Sequence, residues 1–274
     1  MEFGGFLDYS KYKILKLIPD EFKPKTQFIS NKSAVGNLPD FPFVIKPDLG
    51  ERGVNVEVIK SIEEWENYPL QGNLILQEFV DLPLEFGIFH AQINENSGEI
   101  LSITGKEFLV YTADGNSTLE EFVLSNPRSI SRLDYLKEKF SDDWEKIHPK
   151  GTEILLEPIG NHNRGTKFYD ASHLNSIELT KIISEISKNI EGFHYGRFDV
   201  KAKSEEELQS GKFIILEING ANSEPTHIYD PDYSLIQAYK EVKRHFDIQY
   251  KISRKQPKNY SSSAFYKAVL KRIF

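Results

Sequence analysis

The chain has 274 residues, 39% hydrophobic and 27% charged, the balance of a folded globular protein. It has no cysteine, which excludes disulfides, a thiol nucleophile, iron–sulfur clusters and cysteine zinc sites. No apolar run approaches the roughly 18 residues of a membrane helix. The start, MEFGGFLDYSKYK, lacks the basic-then-apolar pattern of a secretion signal, so a cytoplasmic location is expected. The net charge of −7 is uneven: residues 251–274 hold seven bases (Lys251, Arg254, Lys255, Lys258, Lys267, Lys271, Arg272) and no acid, which leaves 27 bases against 41 acids in the first 250 residues. A body this acidic is a poor general nucleic-acid binder, and no nucleic-acid partner is expected.

In chain order, FPFVIK (41–46) reads as a strand, PDLGERG as a glycine-bearing loop and VNVEVI as a second strand. Ser61 with Glu64 forms a capping-box signature for a short helix, and NLILQEFV (73–80) is the next strand. EFGIFHAQI (85–93) and EILSIT (99–104) flank NENSG as a hairpin, followed by KEFLVYT and the turn ADGN. Two helical stretches fall between Leu119 and Ile147. Residues 175–190 are the clearest helix, with Leu179, Ile182, Ile183, Ile186 and Ile190 at helical spacing. YGRFDVKA (195–202) and KFIILEIN (212–219) are strong strands, and YSLIQAYKEVKRHF (233–246) is the last body helix. The mixture is α+β with mostly antiparallel connections, and it lacks the strand–helix alternation of a doubly wound sheet.

The chemistry concentrates in two places. Side chains alternate along a strand, so Tyr195, Arg197 and Asp199 share one face, and Phe213, Ile215, Glu217 and Asn219 are expected to share one. An Asp and a Glu inside apolar strands need compensation. A hard cation with oxygen ligands would supply it; magnesium takes one or two carboxylates plus phosphate oxygens. An Arg197–Asp199 ion pair, with Glu217 at a solvated strand end, is the equally open alternative. The second place is Lys46, which ends an apolar strand and opens a loop holding Gly50 and Gly53. Such a loop lets backbone N–H groups approach phosphates while the lysine adds a point charge. Most glycine-bearing hairpins are only turns, and neither Walker nor GxGxxG spacing occurs.

Together these features resemble the ATP-grasp superfamily, in order over about 240 residues. The nearest pattern is that of D-alanine–D-alanine ligases, with local similarity to cyanophycin synthetases. The resemblance implies two α+β lobes sandwiching ATP. It implies a phosphate-contacting Lys46 in IKP, a covering loop DLGERG with Gly50 and Gly53, and an adenine hinge in LILQEFV with Gln77, Glu78 and Val80. Glu85 would bind ribose. RFDV followed by LEIN would supply Arg197 as the transition-state cation and Asp199, Glu217 and Asn219 as magnesium ligands. Lys11 in DYSK matches an earlier phosphate-contacting lysine, with a surface lysine as the alternative. Lys106 in SITGKEF matches a further active-site lysine, and Asn163 and Arg164 in GNHNRGTKF match groups brought towards the phosphates. YTADGNSTLEEFV, similar to a cyanophycin synthetase stretch, is expected to be a turn plus helix cap.

EINGANSEPTHIYDP departs from the ligase ending that binds a D-dipeptide, and only 45 residues precede Lys46 where grasp ligases carry a whole domain. The chain is a fragment, or lacks that domain, or a partner supplies it. The implied division is an N-terminal remnant (1–19), a small lobe (20–82), a large lobe (83–250) and a basic tail (251–274). The implied activity is joining a small-molecule carboxylate to an amine through an acyl phosphate, with ATP and magnesium. A grasp-fold kinase and a non-catalytic ATP-binding protein are the alternatives. None of the seven histidines forms HExxH or another tight ligand pair, though His227 lies just past the metal strand. In the tail, Phe265, Ala268, Val269 and Ile273 recur at helical spacing among lysines. The tail is either an amphipathic helix on a membrane surface or partner, or a docked terminal helix.

Overall fold

A computed structural model describes residues 1–7, 9–30, 35–50, 53–69, 72–94, 97–255 and 262–273. The chain divides into two compact units, one of Met1–Gly105 with Asp170–Phe274 and one of Lys106–Tyr169.

The first unit opens with α1 (Lys11–Leu15), β1 (Thr26–Ile29), β2 (Phe43–Pro47), β3 (Glu57–Ile59), α2 (Ile62–Asn67) and β4 (Leu74–Glu78). Strand order β1-β4-β2-β3 makes an antiparallel sheet. One face is apolar: Ile29, Phe43, Ile45, Ile59, Leu74 and Leu76 pack with Trp65 of α2. Alternation therefore sends Lys46 of β2 and Gln77 of β4 to the other face. At α2, Ser61 Oγ accepts from Glu64 N at 3.3 Å, and the Glu64 carboxylate accepts from Lys60 N instead of closing the box on Ser61.

β5 (Leu84–Asn94) and β6 (Ser97–Glu107) follow; of the expected NENSG turn, Glu95 and Asn96 lie outside the described residues. The sequence reading split SIT from GKEF, whereas one strand runs through both and carries Lys106. After the second unit come α5 (Ile177–Lys188), β10 (Tyr195–Ala202), α6 (Glu205–Gln209), β11 (Ile214–Asn219), α7 (Leu235–Lys255) and α8 (Ser262–Ile273). The second sheet of this unit runs β11-β10-β5-β6, and β10 pairs antiparallel with both β5 and β11. Its α5 side is capped by Ser176 Oγ, which accepts from Leu179 N at 3.0 Å.

β11 corrects one expectation. The register pairs Asp199 with Glu217 but Val200 with Ile215, so Leu216 is a bulged extra residue. The bulge flips the alternation: Ile215 joins Val200 in the core, while Glu217 and Asn219 stay on the face of Asp199 and Arg197. The N-terminal segment crosses the end of β11 at close range. Tyr9 Oη donates to Ile218 O at 3.0 Å and accepts from Gly220 N at 3.1 Å. A Cβ on Gly5 would meet Gly220 Cα at 2.8 Å, so the crossing needs glycine on both segments.

The second unit comprises β7 (Leu109–Thr112), α3 (Leu119–Ser125), α4 (Leu133–Lys139), β8 (Glu153–Glu157) and β9 (Lys167–Asp170) up to Tyr169. β7 and β8 pair antiparallel over a core of Tyr111, Leu119, Val123, Leu136, Trp144 and Leu156. Thr118 and Glu121 form a complete capping box at α3, as a turn plus helix cap in ADGNSTLEE requires. Among the described residues no helix is long and apolar enough to cross a membrane.

Thr118→Ala is expected to cost about 1 kcal/mol. Amide exchange in α3 would then quicken about fivefold, with β2 and β4 unchanged, measured by hydrogen exchange.

Candidate functional site

The site forms where the second face of the first sheet, which carries Lys46 and Gln77, meets β10 and β11. Lys46 is 4% exposed. Its Nζ donates to Gln77 Oε1 at 3.0 Å and to Leu216 O at 3.0 Å, the carbonyl that the bulge turns out of the ladder. Gln77 Nε2 reaches the same carbonyl at 3.4 Å. Burial pushes the Lys46 amine down to about 8; Glu217 pulls it up, Lys11 pushes it further down, and Asp199 and Glu85 pull it up.

On the facing sheet, Arg197, Asp199, Glu217 and Asn219 project from neighbouring positions of β10 and β11. Arg197 grips Asp199 with two bonds, Nε to Oδ1 and Nη2 to Oδ2, each 3.1 Å. Asn219 Nδ2 adds a third to Asp199 Oδ2 at 2.8 Å. The grip depends on Gly87, which stands opposite Asp199 on β5: a Cβ there would come within 3.0 Å of Arg197 Cδ. Glu217 Oε1 pairs with Lys11 Nζ at 3.2 Å, and Lys11 is 7% exposed. Lys11 is therefore part of the buried charged cluster and not a surface lysine. The Arg197–Asp199 ion pair is present, whereas Glu217 is held by a buried amine.

Lys11 is held in place by a residue that the sequence reading missed. Asp48, buried just after IKP, accepts from Ser10 Oγ and Tyr12 N, each at 2.9 Å, and its carbonyl accepts from Lys11 N at 3.1 Å. Ser10 in turn caps α1 through Lys13 N at 3.1 Å. An Asp beside a proline, 38 residues from its partner serine, leaves no local signal. Lys201 was also missed, although it shares the Asp199 face of β10. It is buried, donates from Nζ to Val80 O at 3.1 Å and lies 5.4 Å from the Phe79 ring centre. It fastens the segment after β4 to the second sheet, so the carbonyl of Val80 already has a donor.

The other expected residues lie as follows. Glu78 ends β4, its backbone N–H bonded to Lys25 O at 2.9 Å. Glu85 is buried on β5 opposite Lys201. Gly50 and Gly53 have φ of +142° and +68°, which favours glycine at both; Glu51 and Arg52 between them lie outside the described residues. Lys106, Asn163 and Arg164 belong to the second unit. There Arg164 pairs with the buried Glu157 at 3.5 Å, alongside Arg132 at 3.2 Å.

The donor set of Asp199, Glu217 and the Asn219 amide is oxygen-bearing, in line with what magnesium takes. Both carboxylates are neutralised within the chain by Arg197 and Lys11. Among the described residues no group of three His, Cys, Asp or Glu forms a metal cage, so any cation here would draw on the amide and on phosphate oxygens as well. Beside the site opens a groove of about 1590 Å³ lined by Phe3, Tyr195, Ala221, Glu224 and Phe265 among others. Arg197 Nη1 donates to Glu224 O at 3.3 Å, which joins the groove to the charged cluster.

No family model matches the chain, and no curated protein matches its sequence. Its structure resembles ATP-grasp ligases. VanG D-Ala:D-Ser ligase from Enterococcus faecalis is 14% identical, with 86% of this chain and 61% of that one aligned and a TM-score of 0.45. A D-alanine–D-alanine ligase from Bacillus anthracis gives 13%, 89%, 64% and 0.43. The ATP-grasp ligase PsnB, complexed with a phosphomimetic variant of a minimal precursor, Mg and ADP, gives 11%, 89%, 58% and 0.46. This chain thus spans less than two thirds of each. The α+β architecture with antiparallel sheets is as expected and is shown by the sheets themselves; the chemistry rests on the site's own geometry.

Two outcomes follow. Asp48→Ala should destabilise by about 2 kcal/mol, because two bonds to a carboxylate are lost, and lower Tm by roughly 4–8 °C. The second concerns Lys46, whose folded pKa lies below the unfolded one. In the window from about pH 8 to about pH 10 the unfolded chain binds more protons at this residue, so its contribution to stability rises with pH by up to about 1.4 kcal/mol per unit. The stability difference between wild type and Lys46→Met, from denaturant melts, should shift in favour of wild type across that window and stay flat below it.

Proposed function

We propose that this chain is an ATP-dependent carboxylate–amine ligase that works through an acyl phosphate. The observation that carries the proposal is the convergence of three cations, Lys11, Lys46 and Arg197, with Glu85, Asp199, Glu217 and Asn219 where two antiparallel sheets meet. Cations this buried and this close to carboxylates suit a polyanion that arrives with its own counter-charge, as a nucleoside triphosphate with magnesium does.

In this reading Lys46 and Lys11 hold the phosphates as point charges, and the segment Gln77–Val80 lies against the adenine. Glu85 holds ribose, and the loop with Gly50 and Gly53 covers the phosphates and excludes water. Asp199, Glu217 and Asn219 would hold magnesium. When bound, the ion neutralises phosphate oxygens. Arg197 stabilises the charge that develops on phosphoryl transfer to the carboxylate. The groove beside Glu224 takes the body of the carboxylate substrate, and its amine partner attacks from the same side. The chain keeps substrates aligned and dry; no covalent enzyme intermediate is required. The sandwich of lobes 20–82 and 83–250, and a cytoplasmic setting, belong to the same proposal.

A thermal melt with Mg-ATP tests the nucleotide site. At about 100 times the dissociation constant a ligand stabilises by roughly 2.7 kcal/mol, a rise on the order of 5–10 °C. The rise should require magnesium and vanish in Glu217→Ala. ADP release should depend on both a carboxylate and an amine. Arg197→Gln should keep the nucleotide-induced rise and lower turnover about 100- to 1000-fold. A stable phosphorylated product formed without amine would make the protein a kinase, and a rise without any turnover would make it a binding protein.

A further inference from the structure

The sequence draws attention to residues 251–274 as the amphipathic basic segment, but the structure moves the exposed apolar stripe elsewhere. Phe265 of α8 is half-buried against Phe3 and Phe6, with ring centres 5.6 and 6.1 Å away, and Ala268 and Val269 are half-buried too. The apolar face of α8 is therefore docked. Helix α7 is the reverse. His245, Ile248 and Ile252 bury one face. Leu235, Ile236, Tyr239, Phe246 and Tyr250 are 73, 69, 69, 65 and 65% exposed. At about 100° per residue these five fall within one sector of roughly 100°, well away from the buried face.

Charge flanks this stripe. Lys240, Lys243, Lys251, Arg254 and Lys255 are exposed on α7, against the acids Glu241 and Asp247; Lys243 pairs with Asp247, and Glu241 with Arg244. Residues 235–274 hold ten bases and two acids, whereas residues 1–234 hold 24 bases and 39 acids. A stripe of Leu, Ile, Phe and Tyr bordered by lysines is what the boundary between anionic headgroups and acyl chains accepts. Two copies meeting through this face would set one basic segment against another. A nucleic-acid backbone would meet the bases and leave the apolar stripe wet.

We propose that α7 is a docking face for an anionic lipid surface, on which the helix lies with Leu235, Tyr239, Phe246 and Tyr250 at the headgroup level. The inference uses none of the residues at the charged cluster; of the stripe's residues only Phe246 also lines the groove, and the test leaves Phe246 unchanged.

The test is sedimentation of the full chain with vesicles of phosphatidylcholine alone and of phosphatidylcholine with about one third phosphatidylglycerol. The bound fraction should be at least about fivefold higher on the anionic vesicles and should fall with added salt. Leu235→Ser/Tyr239→Ser/Tyr250→Ser should lower it about tenfold, as should Lys240→Glu/Lys251→Glu, each with wild-type Tm and circular dichroism. No binding to anionic vesicles overturns the proposal. So does binding that the serine variant retains and heparin competes away, which would be charge alone. A concentration-dependent dimer lost in the serine variant, without vesicle binding, would assign the face to a second copy instead.

Discussion

A buried amine must be surrounded by oxygen, and in this chain that need joins two sheets. Lys46 leaves β2 on the face that the apolar core does not use, and its partners come from β4 and from the bulge in β11. Neither sheet could satisfy it alone: Gln77 supplies one acceptor and Leu216 the other. The carboxylates around it, Glu217, Asp199 and Glu85, oppose the desolvation that would otherwise strip its proton. Breaking one such pairing leaves the other charge stranded, which costs more than the pair contributes. The cluster is thus coupled, and Lys11, tied to Glu217 and steered by Asp48, belongs to it as much as the strand residues do.

Much of this was legible in the amino-acid sequence because strands announce themselves locally. RFDV and LEIN sit in apolar strands where carboxylates are conspicuous, and they do stand side by side in register. The helix at 175–190, the two helices after Leu119 and the cap at Thr118 follow from spacing and from one hydroxyl placed before a glutamate. What escaped was whatever depends on two distant strands at once. Alternation counted along KFIILEIN places Ile215 with Glu217, and only pairing with β10 reveals the extra residue between them. Asp48, Lys201 and Gly87 each act through a partner remote in sequence. Gly87 is the plainest case, because its contribution is the room it leaves for Arg197.

The internal ion pairs also define a resting state. Asp199 and Glu217 are neutralised by Arg197 and Lys11, so the cluster is balanced without any outside charge. Under the proposed function an incoming polyanion with its counter-ion would exchange partners: the two cations would turn to phosphate and the two acids to the metal. Such an exchange would leave each of the four side chains with an opposite-charge partner, which keeps the desolvated site from becoming prohibitively costly in either state.

The bulge at Leu216 has a consequence for how such a chain can vary. The group that Lys46 and Gln77 use is a backbone carbonyl, so the identity of the side chain at 216 is loosely constrained and substitutions there would be tolerated across relatives. The length of the strand is not. Removing that single residue would restore strict alternation with Ile215 and Glu217 on their present faces, and would withdraw the carbonyl on which Lys46 and Gln77 rely. In this stretch a one-codon deletion would do what almost no point substitution at that position could.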